Sequence, residues 1–420
     1  MACSNLFVHV LAAVVLATGV SATAYAQSAA ETLTAREFLT RIDGTLPELE
    51  RFEAAILTAE AKVEETRILP PLGLSYEREE VFVGSEGVVL KNAVSLNWSL
   101  DISARRSKRS KSANQALQAI REGGQYDNQL VLLDALSIYK RAARARLRVA
   151  SLEATRRPLA ELVQRLKNRV SEGDASGYDL ARFELQLSEH DDLLDEARAE
   201  QAVAQTELSG LLAANGQIVA SDNLDLPTLP AGSAGIMERS DLRATQHEEE
   251  SGKALKAAAS SWWVPTLDLS VGYLNTDFGP GNGPGSQTVS GYAGTIGASI
   301  PLFSRGKAEN KRGEALVRSA QIKRRILERR IRTEVETART LLASRLEQAR
   351  KFKERQLAQV AEFARKTEAA YQGGEASALE LRDAYAKASG AELRYIELRY
   401  QCSLARLALW RATGTVSYTH

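Results

Sequence analysis

The chain has 420 residues, with 54 Lys and Arg set against 53 Asp and Glu for a formal net charge of +1. That balance supplies no general electrostatic drive toward nucleic acid or an acidic surface. The length would suit two or three globular domains, but aromatic residues make up only 6%. Long stretches dominated by Ala, Leu, Glu and Arg have the composition of coiled coils, so one elongated unit is expected.

In chain order, Leu6 to Val20 is apolar and Ala24-Tyr25-Ala26 follows as an A-x-A site. Residues 1–26 therefore read as a secretory signal, although no Lys or Arg precedes the apolar run. Cys3 would leave with it, so the mature chain keeps only Cys402, a buried thiol on a helix seam. No later run of about 20 apolar residues exists, which excludes an α-helical membrane span and leaves any crossing to strands.

The first half, 27–216, opens with a helix over Thr34 to Leu69. Leu72, Leu74 and Tyr76 then alternate with Gly73 and Ser75, predicting strands at about 70–82 and 90–102 joined by the tight turn VGSEG. A long helix over about 103–170 follows, with a kink or break expected at Pro158. A shorter helix over about 178–213 completes the half. After a linker at 217–236, the second half, 237–414, repeats the order: helix to Trp262, strands at about 265–277 and 288–302, long helix 304–372 and helix 377–412, with a tail at 415–420. Between its strands lies the Gly/Pro loop FGPGNGPGSQ.

The duplication is literal at the turns. GDASGYDL from Gly173 returns as GEASALEL from Gly374, about 201 residues later, and each opens a heptad helix. Leu180, Phe183, Leu187, His190 and Leu194 begin one seam; Leu381, Ala384, Ala388, Ala391 and Tyr395 begin the other in the same register. At 1.5 Å per residue the long helices are on the order of 100 Å, and the flanking helices stacked end to end match them. Four strands cannot close a barrel in lipid, so oligomerisation is required, and a trimer would pool about 12 strands. The expected fold class is mainly α with a small β part.

The paired PPLGLS and PTLDLS strand openings, the LFSRGKAENKR helix entry and the paired G-[DE]-A-S turns resemble the TolC-like outer-membrane efflux family, the outer membrane factors. PPLGLSYEREE and RVSEGDASGYDL are most similar to its CzcC-type heavy-metal branch. The resemblance implies a homotrimer in the outer membrane of a Gram-negative bacterium, a β-barrel continuous with a helical tunnel through the periplasm. It also implies a periplasmic adaptor (membrane fusion protein) and an inner-membrane pump of the RND type as partners, and heavy-metal cations as cargo. A type I secretion or drug-efflux conduit of the same fold is the alternative within the family; a periplasmic coiled-coil scaffold or adaptor is the alternative outside it.

Carried over by resemblance, Glu380 and Asp383 form acidic rings just inside the periplasmic entrance, and Asp179, Tyr371 and Arg399 hold that entrance shut. Ala376 stands where the family has a basic residue, so one closing contact is missing. The hairpin tips, marked by Ser171, Gly173, Gly374 and Ser377, would dock the adaptor. His190 reads as a polar seam residue and His247 as solvated, without Cys/His pairs at ligand spacing. The basic runs Arg105 to Lys111 and Arg305 to Arg312 read as topological markers below the membrane. No nucleophile-base constellation or phosphate loop supports catalysis, and no cofactor is expected.

Overall fold

Two rounds of helix, strand pair and helical hairpin make up the chain in the computed structural model, which describes residues 31–83, 87–214, 216–230, 239–278, 287–299 and 305–415. The expected signal, the tip of the Gly/Pro loop and nearly all of the tail lie outside those residues. The first round runs β1 (Glu31–Leu33), α1 (Ala35–Ile42), α2 (Pro47–Arg67), β2 (Gly73–Val83), β3 (Gly87–Asp101), α3 (Arg105–Ser171) and α4 (Gly177–Leu211). After β4 (Ile218–Ala220), the second comprises α5 (Ser240–Ala259), β5 (Thr266–Phe278), β6 (Gln287–Ser299), α6 (Arg305–Lys351), a π-helical turn (Phe352–Leu357), α7 (Ala358–Gln372) and α8 (Ala378–Thr413).

Three expectations are corrected. The first helix is two helices: α1 starts on a capping box, in which Thr34 Oγ1 accepts from the Glu37 N–H, and it stops so that Pro47 can open α2. Proline at N1 forfeits only an amide that has no helical partner there. Pro158 does not break α3, which continues as one helix of 67 residues. Leu152, Leu159, Leu162 and Val163 are all buried around it. Several leucines at about 1.5–3 kcal/mol each outweigh the cost of about 3 kcal/mol for an interior proline. His247 is not solvated; its Nδ1 lies 2.8 Å from Gln115 Oε1 at a half-buried position.

The interruption in the second long helix was not expected. The long helices start 200 residues apart, at Arg105 and Arg305, yet their ends, Ser171 and Gln372, are 201 apart. One extra residue is therefore housed between them, and a π turn is the conformation that absorbs it.

Both heptad seams are the packed faces. Phe183, His190, Leu194, Ala197, Ala204 and Leu208 are buried on α4, as are Leu381, Ala384, Leu398, Cys402, Ala405 and Leu409 on α8. Midway along the molecule, α1, α3 and β4 enclose Phe38, Ile42, Tyr139, Leu208, Ile218 and Leu224. Here the Tyr139 hydroxyl donates to the Leu33 carbonyl at 2.8 Å, and β1 pairs in parallel with β4 inside the expected linker.

The other sheet has the order β2-β3-β5-β6, antiparallel throughout, so β2 and β6 are its open edges. The helices beneath keep that lateral order: α2 packs on α3, α3 on α5 and α5 on α6.

Candidate functional site

The two hairpin turns are the same device. In the first, Gly173 has φ +85°, its N–H donates to the Val170 carbonyl and the Asp174 N–H to the Arg169 carbonyl. In the second, Gly374 has φ +77°, with the matching bonds from Gly374 to Tyr371 and from Glu375 to Ala370. This double bond is the Schellman closure, and glycine is required because a Cβ is strained at positive φ. Ser176 then caps α4 and Ser377 caps α8. Ser171 sits on the last helical turn, its Oγ donating to the Asn168 carbonyl at 2.6 Å.

Glu380 has a local task. It completes the α8 capping box, accepting at Oε2 from the Ser377 N–H at 2.8 Å and the Ser377 hydroxyl at 2.9 Å. These bonds, the backbone one foremost, hold its carboxyl below the usual carboxylate range. Asp383 is exposed and its Oδ1 accepts from Arg382 at 2.7 Å. Both carboxylates flank the buried Leu381 and Ala384 and are turned to solvent in the protomer.

Of the three entrance residues, the structure gathers two. Asp179 lies in the first turn of α4, and Tyr371 closes α7 beside the cluster of Leu162, Leu166, Phe183 and Leu381. Arg399 lies far above them, 22 residues along α8 from Ser377, or about 30 Å, with its guanidinium 5.2 Å from the Tyr395 ring centroid. Beside Tyr371 a cleft of about 170 Å³ reaches Tyr385, whose hydroxyl is pushed up to about 12 by burial and then by the charge of Glu368.

At the other end, the sheet has two unlike faces, because residues paired across strands share a side. One carries the rows Trp98–Leu269–Ile296, Leu74–Leu96–Val271–Gly294 and Tyr76–Val94–Tyr273–Tyr292. The other carries Ser99–Asp268–Gly297, Gly73–Asn97–Ser270–Thr295 and Ser75–Ser95–Gly272–Ala293. Leu74 is 74% exposed, Ile296 79% and Tyr292 88%, so nothing among the described residues covers the apolar face. On the small-residue face Asp268 accepts from the Ser99 and Ser299 hydroxyls, each at 2.6 Å, tying three strands together. The sequence reading passed over Asp268, although the alternation of Asp268, Ser270 and Gly272 with leucines and valine was there to be read.

The first basic run stitches sheet to helices. Arg106 Nε donates to the Thr66 carbonyl at 3.1 Å, Lys108 Nζ to Ser261 Oγ at 2.7 Å, and Arg109 pairs with Glu309. His190 Nε2 lies 2.9 Å from the Leu152 carbonyl, fixing the α3–α4 register, and burial pushes the Cys402 thiol up to about 11. Among the described residues no group of His, Cys, Asp and Glu is arranged to hold a metal ion.

Residues 234–415 match the model of the outer membrane efflux protein family. That match covers the second repeat, and the fold of the whole chain is that of solved outer membrane channels. Solved channels of similar fold agree over both repeats. CusC aligns with a TM-score of 0.71 at 19% identity, covering 90% of this chain and 91% of that one. The open state of the MtrE outer membrane channel of Neisseria gonorrhoeae gives 0.70 at 18% identity, covering 90% and 88%. VceC of Vibrio cholerae gives 0.66 at 16%, covering 90% and 96%. No curated protein sequence matches the chain. The family match and the shared channel fold together place the protein in the outer membrane, reaching into the periplasm, as a conduit rather than an enzyme.

Proposed function

We propose that copies of this efflux protein close into a trimer whose sheets form one barrel of about 12 strands and whose helices form the tunnel beneath it. Cargo handed over by a periplasmic adaptor and an inner-membrane pump would leave through that tunnel. The observation that carries the reading is the four-stranded sheet with one apolar face, one small polar face and two open edges. In lipid an open edge leaves unpaired amides at several kcal/mol each, so β6 must find β2 of the next copy. A soluble scaffold has no use for the bare apolar face.

The tips are proposed as the adaptor-docking surface, with Ser171, Gly173, Gly374 and Ser377 shaping it. Glu380 and Asp383, repeated around the axis, are proposed as acidic rings at the entrance. Asp179 and Tyr371 would close that entrance against neighbouring copies, while Arg399 could act only at its own height. Heavy-metal cations are proposed as cargo on the likeness of PPLGLSYEREE and RVSEGDASGYDL to the heavy-metal branch. The deciding experiment is planar-bilayer conductance of detergent-extracted protein, with the oligomeric mass taken on the same sample. A trimer with discrete conductance is expected; a freely soluble, non-conducting species would overturn the reading. Glu380→Gln with Asp383→Asn should then lower cation preference, the glutamine keeping a capping acceptor for Ser377.

A further inference from the structure

The two flanks of the protomer carry opposite charge. On one flank α2 packs against α3, with α4 below it; on the other α6 packs against α5 and α8. The α2 sequence holds six glutamates against three basic residues, and α4 nine acids against two. The α6 sequence holds 15 Lys and Arg against six acids.

Part of the acid on α4 is neutralised internally by α3, through Arg156–Asp191 at 2.5 Å, Lys167–Glu184 at 2.9 Å and Arg148–Glu200 at 2.8 Å. What remains faces outward. Glu50 and Glu53 on α2 and Glu189 and Asp192 on α4 are solvent-exposed, with no ion-pair partner among the described residues. The same holds for Arg318, Arg325 and Arg329 on α6. Apolar side chains stand among them: Leu57 is 65% exposed on α2, Ile322 40% and Ile326 55% on α6.

These charges also agree in height. The Arg109–Glu309 pair levels α3 with α6, and the Phe52 ring, which a Cβ placed on Gly124 would meet at 3.4 Å, levels α3 with α2. Counting along the helices at about 1.5 Å per residue puts Arg318 and Ile322 beside the level of Leu57 and Ala54, and Arg325 and Arg329 beside that of Glu48, Glu50 and Glu53. At the lower end Gly173 and Gly374 mark the two tips, and Asp192 and Arg355 are each 19 residues above them. Rotation about an axis along the helices moves a copy sideways and leaves every height unchanged.

We propose that successive copies are keyed by charge, the cationic flank of α6 and the π turn of one copy seating on the acidic flank of α2 and α4 of the next, around Ile322, Ile326 and Leu57. The proposal rests on the ring-closed reading above and names its seam. A head-to-tail contact joins unlike patches and can close a ring. Like flanks repel, so back-to-back pairing through two copies of α6 is disfavoured. The sheet edges run the same way, β2 above α2 and β6 above α6.

Two measurements on the mature chain in detergent, without Cys3, test it. Leu57→Cys with Ile322→Cys, treated with a short bifunctional maleimide, should give a covalent trimer on a denaturing gel, while either single variant stays a monomer band; buried Cys402 supplies a quiet background. Reversing Arg318, Arg325 and Arg329 to Glu should lower the trimer fraction roughly tenfold, and adding Glu50→Lys and Glu53→Lys should restore it. Circular dichroism on each variant separates lost assembly from lost folding. Cross-linking in a single variant, or a trimer indifferent to charge reversal, would overturn the keyed seam. Wild type that is monomeric throughout would instead overturn the ring itself.

Discussion

The two lower hairpins share one turn and differ in what holds their helices together. Where α3 buries Val163 and Leu166, the positions 201 residues on in α7 are Ala364 and Thr367; where it buries Leu162, α7 has Phe363, 47% exposed. On the returning helices Phe183, 1% exposed, is answered by Ala384. The π turn stands at the head of the thinner hairpin. Duplication thus kept the backbone chemistry of the tip, where a wrong residue costs strain, and let the apolar filling diverge. Fewer buried methylenes mean a lower free energy for displacing α7–α8 than α3–α4.

The widest gap should appear in core truncations. Phe183→Ala is expected to cost about 3–5 kcal/mol, and Thr367→Ala, which loses a 2.9 Å bond from its hydroxyl to the Phe363 carbonyl, about 1 kcal/mol. Chemical denaturation of the two variants gives both numbers, and equal costs would erase the contrast between the hairpins. Deleting exposed Arg355 removes the residue that the π turn absorbs. A continuous α-helix should result, with slower amide exchange in α7; unchanged exchange would dissociate the turn from the looseness of that hairpin. Gly173→Ala and Gly374→Ala should each cost about 1 kcal/mol and by equal amounts, since the two turns match; unequal losses in parallel melts would show that the match ends at the backbone.

The smallest effect is one of pH. Because the folded-state pKa of Glu380 is lowered, its capping contribution is fully present above the ordinary carboxylate value and is lost as pH falls through the lowered one. Amide protection in the first turn of α8, taken relative to the intrinsic exchange rate at each pH, should therefore fall on acidification in wild type and less so in Glu380→Gln. In the α4 cap the Tyr178 N–H donates to Ser176 Oγ and the first-turn Asp179 makes no capping box with that serine, so the response there should be smaller.

Most of the architecture was legible because it is periodic. Residues such as Phe183, Leu194, Leu381 and Ala384 were placed on seams by spacing alone, and they are buried. What escaped had no period to show. The strands β1 and β4 are each three residues long and meet across nearly the whole first repeat. The break before Pro47 was announced by Gly44 and Pro47 themselves, but the helical composition on both sides drowned it. Pro158 was judged by its own chemistry, and the leucines around it decided otherwise. A single inserted residue leaves composition untouched and shows only as a change of repeat spacing from 200 to 201. Among site residues, Asp179, Tyr371, Glu380 and Asp383 do share the tip; Arg399 matches in sequence pattern yet stands about 30 Å away, a distance that residue type cannot reveal.

The row Tyr76–Val94–Tyr273–Tyr292 is where the apolar side of the sheet stops, for the next row on that side is Arg78–Asn92–Asn275–Ser290. From Leu100 to Val94 the greasy band is about 20 Å along the strand, shorter than the strands themselves. Tyrosines with their hydroxyls at the water line would moor the barrel there, and Arg78 and Glu80 would already stand clear of it. In such a barrel the upper third of each strand pair would be the part of the molecule that the outside world can touch: the stretch an antibody, a phage or a protease would meet first, and the place to graft an epitope without disturbing the conduit.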